Sequence, residues 1–445
     1  MVQDTFLCLI PEAPRGERLT TSGDAPKRMG KRMKNPKDKG GAAAHSEPVG
    51  STPPAWQGRF PYNEIISLLD VNRRFNLAES TSQDLTVGDV LDLAGLETLR
   101  GLKLGYGRSA GSAELREEIA KVCQVSADHI VTTQGTALGL FLLAFELCRP
   151  GDEAVLVTPC FPPSRDCLLG AGVTVREVRL SFDDNYRLDL DTLAASLSAK
   201  TKLVSLATPQ NPSGVNTPRA TIEKVLALLD ASAPQAVLFI DEVYREATYG
   251  DATAPDSFAG MHPRIVTGSS VSKALGAPGL RTGWLTVADA ELRSRLVVAK
   301  VNTVLSGSVL DEALAAALLR KREAVLAPRR RMLAECLKEL TVWCDTERQR
   351  IEWIRPGGGA LCCVRLRADC FDDDSVARFW ALLPGHELQL ASGAWFGESD
   401  RVFRLGFGYL PPERLGPALA ALSTVLDAAT GRASAQPALQ SSATP

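Results

Sequence analysis

Histidine is scarce in this sequence, with four among 445 residues, and the ten cysteines form no Cys-x-x-Cys pair. Disulfide-stapled domains space their cysteines in paired frameworks, and zinc sites need clustered cysteine and histidine ligands. The sequence therefore predicts neither a disulfide scaffold nor a metal site. We expect reduced thiols and a cytoplasmic location.

Strong charge and long apolar runs are also missing. The formal net charge is −2, which gives no overall electrostatic reason to expect a nucleic acid or an anionic membrane as principal partner. No apolar run reaches the roughly 18 residues that suggest a membrane span, and the N-terminus lacks the features of a secretory signal. Small molecules and a second copy of the chain are the partners that we expect.

The two ends of the chain differ in composition from its middle. Residues 1–58 are rich in glycine, proline, serine and basic residues, including KRMGKRMKNPKDKGG, which predicts a disordered arm. That basic cluster could bind RNA or a partner weakly, or it could be a solvated tail. Residues 429–445 are predicted to be a disordered tail.

Between the ends, strand-like and helix-like patterns alternate. Apolar runs such as AVLVTP, KLVSLATP and AVLFIDEVY are separated by helical segments such as ALGLFLLAFEL and TIEKVLALLDA. This alternation predicts an α/β fold with a mainly parallel sheet, in which functional residues gather at the carboxyl ends of strands. We expect a large domain over 105–300, and a smaller α+β domain formed by 301–428 with the segment 59–104. The stretch DEALAAALLRKREAVLAPRRRMLAECLKEL predicts a long helical region in the smaller domain.

Two motifs carry charged residues at predicted strand ends. SSVSKALGAPGLRTGW places Lys273 after the strand RIVTG, with Arg281 eight positions later. A neighbouring positive charge lowers the pKa of an amine and favours the nucleophilic form that a Schiff base requires. FIDEVY places Asp241 at a strand end, where a carboxylate could pair with a pyridine nitrogen or could simply cap a helix.

Three further motifs each have an ordinary alternative. ATPQNPSGV places Asn211 at a strand end, as a hydrogen-bond donor to a cofactor oxygen or as part of a simple turn. Gly135, Thr136 and Ala137 open an apolar helix whose N-terminal amides could bind a phosphate or could be a bare helix start. Phe161, in TPCFPP, could stack on a heteroaromatic ring or pack in the core.

Taken together in this order, the five motifs resemble the fold-type I, class I/II aminotransferases that use pyridoxal 5′-phosphate, from about residue 60 to 428. The resemblance implies a large domain with a mainly parallel seven-stranded sheet and a smaller α+β domain. It also implies that Lys273 forms the Schiff base, that Asp241 pairs with the pyridine nitrogen, and that Asn211 and Tyr244 bind the ring oxygen.

The same resemblance implies the remaining contacts to the cofactor and substrate. Phe161 would stack on the ring. The phosphate would be held by Ser270, Arg281 and the amides of Gly135, Thr136 and Ala137. Tyr106, in GYGRSAG, matches a tyrosine that these enzymes send into the neighbouring subunit's phosphate site, which implies a homodimer.

The substrate carboxylate would be gripped by Arg404, in RVFRLGFG, which follows the glycine turn SGAWFG. Asn211 would contribute to substrate binding as well. Two residues depart from the family pattern. Ser392 stands where many relatives have proline, and Ala137 occupies a position that is often serine or threonine.

We therefore predict an aminotransferase that moves an amino group between an amino acid and a 2-oxo acid. The alternative is a pyridoxal-phosphate-dependent lyase or cyclase acting on an amino acid, for example in secondary metabolism, because one scaffold can support several reactions. A regulator that binds the cofactor without turnover is a third hypothesis. Against it, the proposed catalytic residues are all present and the N-terminal arm shows no helix-turn-helix pattern.

Overall fold

A computed structural model describes residues 57–95 and 99–431 of the chain. The predicted arm over 1–58 and tail over 429–445 lie outside the described residues, apart from positions 57, 58 and 429–431. None of the helices in the described ranges is long and apolar enough to cross a membrane.

The centre of the molecule is a seven-stranded sheet. The strands of the described chain are β1 (Phe75–Asn76), β2 (Ile130–Thr133), β3 (Glu153–Thr158), β4 (Thr174–Arg179), β5 (Thr201–Ala207), β6 (Val237–Asp241), β7 (Ile265–Ser270), β8 (Gly283–Val287), β9 (Ile351–Ile354), β10 (Leu361–Leu366), β11 (Leu388–Gln389), β12 (Ala391–Ser392) and β13 (Val402–Gly406). In the large sheet the order is β2-β8-β7-β6-β5-β3-β4. Only β8 runs antiparallel to its neighbours, β2 and β7. The predicted α/β fold with a mainly parallel seven-stranded sheet is confirmed.

Helices cover both faces of this sheet. The helices are α1 (Ile66–Asp70), α2 (Val87–Ala94), α3 (Ala113–Cys123), α4 (Thr136–Leu147), α5 (Pro162–Gly170), α6 (Leu190–Ser196), α7 (Arg219–Ser232), α8 (Ala290–Val304), α9 (Val309–Arg320), α10 (Arg322–Glu347), α11 (Asp373–Leu382), α12 (Gly393–Phe396) and α13 (Pro412–Ala429). Successive residues of a strand point to opposite faces. Leu238 and Ile240 of β6 accordingly pack with α7, whereas Val237 and Phe239 pack with α4 and α8. Burial on both faces explains why these strands read as continuous apolar runs.

A second, antiparallel sheet of four strands has the order β12-β13-β10-β9. Its apolar side chains share a core with α10 and α13, in which Phe403 and Leu405 pack with residues such as Leu337 and Leu422. The pairing of β13 with both β10 and β12 places Arg404 opposite Cys363 on one side and Ala391 on the other. An arginine is thereby held at the centre of a small sheet.

The segment before α2 is fixed to this second sheet. Strand β1 pairs with β11, and the amide of Gly406 then donates to the carbonyl of Leu77 at 2.7 Å. The approach is close, because a Cβ atom at position 406 would lie 1.8 Å from the carbonyl oxygen of Glu79. Residues 77–82, which we call the N-terminal segment, therefore lie directly against the end of β13.

The long helical region predicted over residues 311–340 consists of two helices. Lys321 has φ −107° and ψ 18°, which ends α9 before α10 begins at Arg322. The prediction of helix was correct, but no glycine or proline marks the break in the sequence. Both helices contribute side chains to the same core.

Candidate active site

Three predicted site residues lie at the carboxyl ends of neighbouring parallel strands. Asp241 is the last residue of β6, Lys273 follows the end of β7, and Asn211 follows the end of β5. Strand register places Asp241 beside Ala207 on one side and Gly268 on the other. Because these ends share one edge of the sheet, polar groups distant in sequence converge there.

The phenol of Tyr244 joins two of these elements. Its oxygen accepts a hydrogen bond from Asn211 Nδ2 at 3.3 Å and lies 2.8 Å from the hydroxyl of Ser80. Tyr244 and Asn211 are both buried. Since a phenol can donate and accept at once, Tyr244 links the turn after β5 to the N-terminal segment.

Arg404 is 1 % exposed and lies next to Asn211. Its Nη1 donates to Asn211 Oδ1 at 2.9 Å, its Nη2 donates to the carbonyl of Ala78 at 2.5 Å, and its guanidinium stacks on Phe396 at 4.8 Å. Burial lowers the pKa of Arg404, yet a guanidinium remains charged at neutral pH. Its buried Nε has no hydrogen-bond partner among the described residues. The arrangement can accept an anion such as a carboxylate.

The turn at Ser392 and Gly393, which precedes Arg404 in the chain, packs closely against β13. Ser392 caps α12 by accepting from the amide of Ala394, and a Cβ at Gly393 would lie 2.4 Å from the carbonyl of Val402. Serine at 392, where many relatives of the resembled family have proline, thus serves as a helix cap. Phe396, the last residue of this helix, is the ring on which the guanidinium stacks.

The ammonium of Lys273 faces the N-terminal segment. Its Nζ lies 3.3 Å from Glu79 Oε1 and 3.3 Å from Ser80 Oγ, and its side chain is 23 % exposed. The carbonyl of Lys273 accepts from the amide of Ser82. The lysine is therefore anchored through its backbone while its amine stays reachable from solvent.

Burial raises the pKa of Asp241 to about 6, and the nearby charge of Lys273 opposes this only in part. Its Oδ1 accepts from the amide of Val243 at 3.0 Å. A buried carboxylate of this kind is best stabilised by a cationic partner, such as a protonated ring nitrogen.

The start of α4 brings several hydrogen-bond donors together. Gly135 caps the helix with φ +79° and no side-chain bond, so the first amides of α4 have no capping group. The hydroxyl of Thr136 is buried without a partner among the described residues. Arg281 crosses this turn so closely that a Cβ at position 135 would lie 2.6 Å from its Nη2. A helix N-terminus, a free hydroxyl and a guanidinium together suit a phosphate.

Four further predicted residues make no hydrogen bond or ring contact with one another in the described chain. Ala137 lies in the first turn of α4, and the buried Ser270 ends β7 and accepts from the amide of Ser272. Phe161 begins α5 just after β3 and is partly exposed. Tyr106 is 88 % exposed, so within one chain its phenol is not packed against the site.

The sequence reasoning missed Glu79 and Ser80, which contact Lys273 and Tyr244. They belong to a run of polar residues whose burial no local pattern indicates, because it arises from contact with the end of β13. The one available signal was the run of polar residues itself, in NLAESTSQDLT ahead of α2.

Comparison with known proteins identifies the family. The chain matches the family described as aminotransferase class I and II over residues 75–422. It belongs to this family. The predicted family and the predicted enzyme class, an aminotransferase, are confirmed.

Individual members of the aminotransferase family show how similar the chain is to known proteins. It is 32 % identical over 386 residues to the capreomycidine synthase of Streptomyces vinaceus, covering 85 % of this chain and 96 % of that protein. It is 28 % identical to an arginine–pyruvate transaminase of Pseudomonas aeruginosa, covering 69 % and 78 %. A PLP-dependent aminotransferase from Streptococcus suis shares the fold, with a TM-score of 0.75, 24 % identity and coverage of 83 % and 98 %.

Proposed function

We propose that this aminotransferase uses pyridoxal 5′-phosphate, held by Lys273, to move an amino group between an amino acid and a 2-oxo acid. The observation that carries the proposal is the convergence of Lys273, Asp241 and Asn211 at one sheet edge beside a buried, partly unpaired Arg404. The orphan hydroxyl of Thr136 beside Arg281 fits the phosphate of the cofactor.

When bound, pyridoxal phosphate supplies an aldehyde that condenses with amines and a ring that accepts the electron pair of a broken Cα–H bond. Asp241 would hold a proton on the ring nitrogen. Asn211 and Tyr244 would donate to the ring oxygen, and Phe161 would stack on the ring.

The phosphate would be bound by Ser270, Arg281 and the first amides of α4, from Gly135 to Ala137. A charge-assisted contact from Arg281 and the positive end of the helix dipole both favour this anion. Thr136 would also donate its hydroxyl, which has no other partner among the described residues.

Lys273 and Arg404 would have different roles toward the substrate, proton transfer and carboxylate binding. Arg404 would bind the α-carboxylate with its fork and so orient the Cα–H bond, with Asn211 beside it. The amine of Lys273 would take the proton from Cα and hold it as an ammonium for return to the substrate–cofactor adduct. Arg404 would thus account for substrate binding, and Lys273 for proton transfer.

We also propose that the active unit is a homodimer. Tyr106 and Leu104 are 88 % and 83 % exposed, so both side chains are available to a second chain. Across a two-fold interface, Tyr106 would reach the partner's phosphate.

A second function is favoured by one specific comparison, the 32 % identity to capreomycidine synthase over 85 % of the chain. The alternative is a cyclase or lyase that starts from the same Cα proton removal by Lys273. Transamination differs from both because the α-nitrogen is transferred to an acceptor 2-oxo acid.

The test uses holoenzyme, α-15N-labelled amino acids that include arginine, and pyruvate as acceptor. Transfer of the label to alanine with formation of a 2-oxo acid supports the proposal. Release of labelled ammonia identifies a lyase, and an altered amino acid that retains the label identifies a cyclase. Either of those results without labelled alanine contradicts the main proposal.

A further inference from the structure

The hydroxyl of Ser80 lies between two residues to which the proposed function gives roles, Tyr244 and Lys273. Its Oγ is 2.8 Å from the phenol oxygen of Tyr244 and 3.3 Å from Lys273 Nζ. Ser80 belongs to the N-terminal segment and is buried, with 2 % exposure. The proposed function leaves this buried hydroxyl without a role.

The direction of each hydrogen bond follows from which groups can donate. Arg404 has only donors, so the Asn211 oxygen that it contacts is the acceptor, and the Asn211 nitrogen donates to Tyr244. An ammonium likewise has only donors, so Ser80 Oγ accepts from Lys273. Tyr244 has one proton, which the proposed function directs to the ring oxygen of the cofactor. Ser80 is therefore the donor in its contact with Tyr244.

Two acceptors of the N-terminal segment contact the amine of Lys273. Glu79 Oε1 and Ser80 Oγ each lie 3.3 Å from its Nζ. A neutral amine has two N–H groups and one lone pair, so binding of both N–H groups directs the lone pair away from the two acceptors. Because this lone pair takes the proton from Cα in the proposed function, its direction affects the rate of proton transfer.

The same hydroxyl also acts on the phenol of Tyr244. A hydroxyl that accepts a hydrogen bond becomes a stronger donor, because hydrogen bonds in a chain polarise one another. Bonds accepted from Ser80 and Asn211 occupy both lone pairs of the phenol oxygen. The proton of the phenol is then left for the ring oxygen.

We propose that Ser80 is a positioning residue, which directs the lone pair of Lys273 for proton transfer and strengthens the hydrogen bond from Tyr244 to the ring oxygen. Its hydroxyl acts only through these two side chains. This inference rests on the proposed function, because it needs a cofactor bound beside Tyr244 and a substrate proton taken by Lys273.

The first measurement uses holoenzyme without substrate. The absorbance of the bound cofactor is titrated with pH, and its midpoint reports how strongly the nitrogen of Lys273 in the covalent link holds a proton. A weaker bond from Tyr244 leaves more negative charge on the ring oxygen, which favours that proton. We expect Ser80→Ala to raise the midpoint by about half a pH unit, the size of one lost hydrogen bond. The substitution leaves in place the charged groups near this lysine, which include Glu79, Asp84 and Asp241.

Two comparisons show whether the shift passes through the phenol. Tyr244→Phe removes the phenol, so adding Ser80→Ala to it should raise the midpoint no further. Ser423→Ala, on α13, is the matched control, because this hydroxyl also accepts one bond, from Trp343, and donates one, to Glu347. The control should keep the wild-type midpoint. Melting temperature and cofactor content are recorded for each variant.

The second measurement follows proton transfer by Lys273. Exchange of the Cα proton of L-arginine and L-alanine with D2O is recorded by NMR, and amino acid binding is recorded through the cofactor absorbance. We expect Ser80→Ala to slow exchange about tenfold, as for one lost orienting hydrogen bond, while the Kd of the amino acid changes less than about twofold. Binding should be kept because Arg404 retains its contacts.

An unchanged midpoint in Ser80→Ala, or a further rise when this change is added to Tyr244→Phe, would overturn the inference. Wild-type exchange rates in Ser80→Ala would do the same, and equal changes in Ser423→Ala would show a general loss of stability instead. The proposed function is judged separately, since it fails only if wild type converts no amino acid of the labelled panel. In that case the midpoint still decides the role of Ser80, because it needs no amino acid.

Discussion

At the scale of single residues, the proposed chemistry depends first on which amine is available. Lys273 is partly exposed, whereas Lys300 is fully buried and donates to Thr132 at 3.0 Å. Burial lowers the pKa of Lys300, which by itself would favour the nucleophilic form. Of these two lysines, Lys273 is the one proposed to bind the cofactor, because its amine lies at the edge of the sheet where the other site residues converge.

This distinction predicts that Lys273→Ala loses the reducible covalent link to the cofactor, while the exposed Lys200→Ala keeps it. Borohydride treatment of the holoenzyme followed by peptide mapping measures the link directly. A phosphopyridoxyl group found on Lys300, or on any lysine other than Lys273, would contradict the assignment. Turnover of the Lys273→Ala variant should fall below detection, because Lys273 is both the proposed attachment point of the cofactor and the proposed base.

Asp241 gives a prediction about pH. The fold raises its pKa to about 6, so the stability contributed by its protonated form is fully present below about pH 4, the unfolded value. That contribution is lost as the pH rises through 6. In cofactor-free protein, wild type should therefore lose stability as the pH rises from 4 to 7, whereas Asp241→Asn should not. The melting temperature of the variant minus that of wild type should increase over this range.

Added cofactor should reverse this ranking, because a protonated ring nitrogen gives the ionised Asp241 a partner that asparagine cannot supply. Differential scanning fluorimetry of both proteins, with and without pyridoxal phosphate, provides the measurement. A melting difference that does not change with pH would show that Asp241 is not titrating in the folded protein. Wild-type turnover in the variant would remove its proposed catalytic role.

At the scale of elements, the N-terminal segment packs directly against β13, the strand that carries Arg404. Gly406 is the point of closest approach, since a Cβ there would lie 1.8 Å from the carbonyl oxygen of Glu79. Arg404 binds the carbonyl of Ala78 in the same contact. A small displacement of the segment would therefore move both the carboxylate and the guanidinium.

Gly406→Ala should displace this segment. We expect a loss of about 1 to 3 kcal/mol in the free energy of unfolding, as for other overpacked positions, and a larger loss of turnover. Gly385→Ala is the matched control, because nothing lies within 4 Å of the added methyl group. Denaturant unfolding and steady-state kinetics test both variants, and wild-type turnover in Gly406→Ala would show that the segment is not needed.

The same elements show what the sequence could predict. Strands β3, β5, β6 and β7 were predicted because burial on both faces leaves uninterrupted apolar runs, and their ends located Asp241 and Lys273. The place of Glu79 could not be predicted, since a buried polar segment has no periodic signal and its partner strand lies over 300 residues later. The break at Lys321 was missed because no glycine or proline marks it in the sequence.

At the scale of the whole molecule, the proposed site needs two chains. Tyr106 is 88 % exposed and would complete the phosphate site of the partner subunit. Mixing the inactive variants Tyr106→Ala and Lys273→Ala under subunit exchange should restore one complete site per hybrid dimer, and so activity of up to about half of wild type per hybrid. No recovery despite demonstrated exchange, or full activity in a strictly monomeric preparation, would exclude a shared site.

The hydrogen bond from Arg404 to Ala78 also orders events during synthesis. Its two partners are 326 positions apart, so the loop that it closes contains most of the chain. Ribosomes deliver the N-terminal part first, and the parallel sheet can form before the last strands emerge. The polar groups of residues 77–82 then remain hydrogen-bonded to water until β13 is available. The proposed pocket for the substrate carboxylate is consequently among the last features to be assembled on a newly made chain.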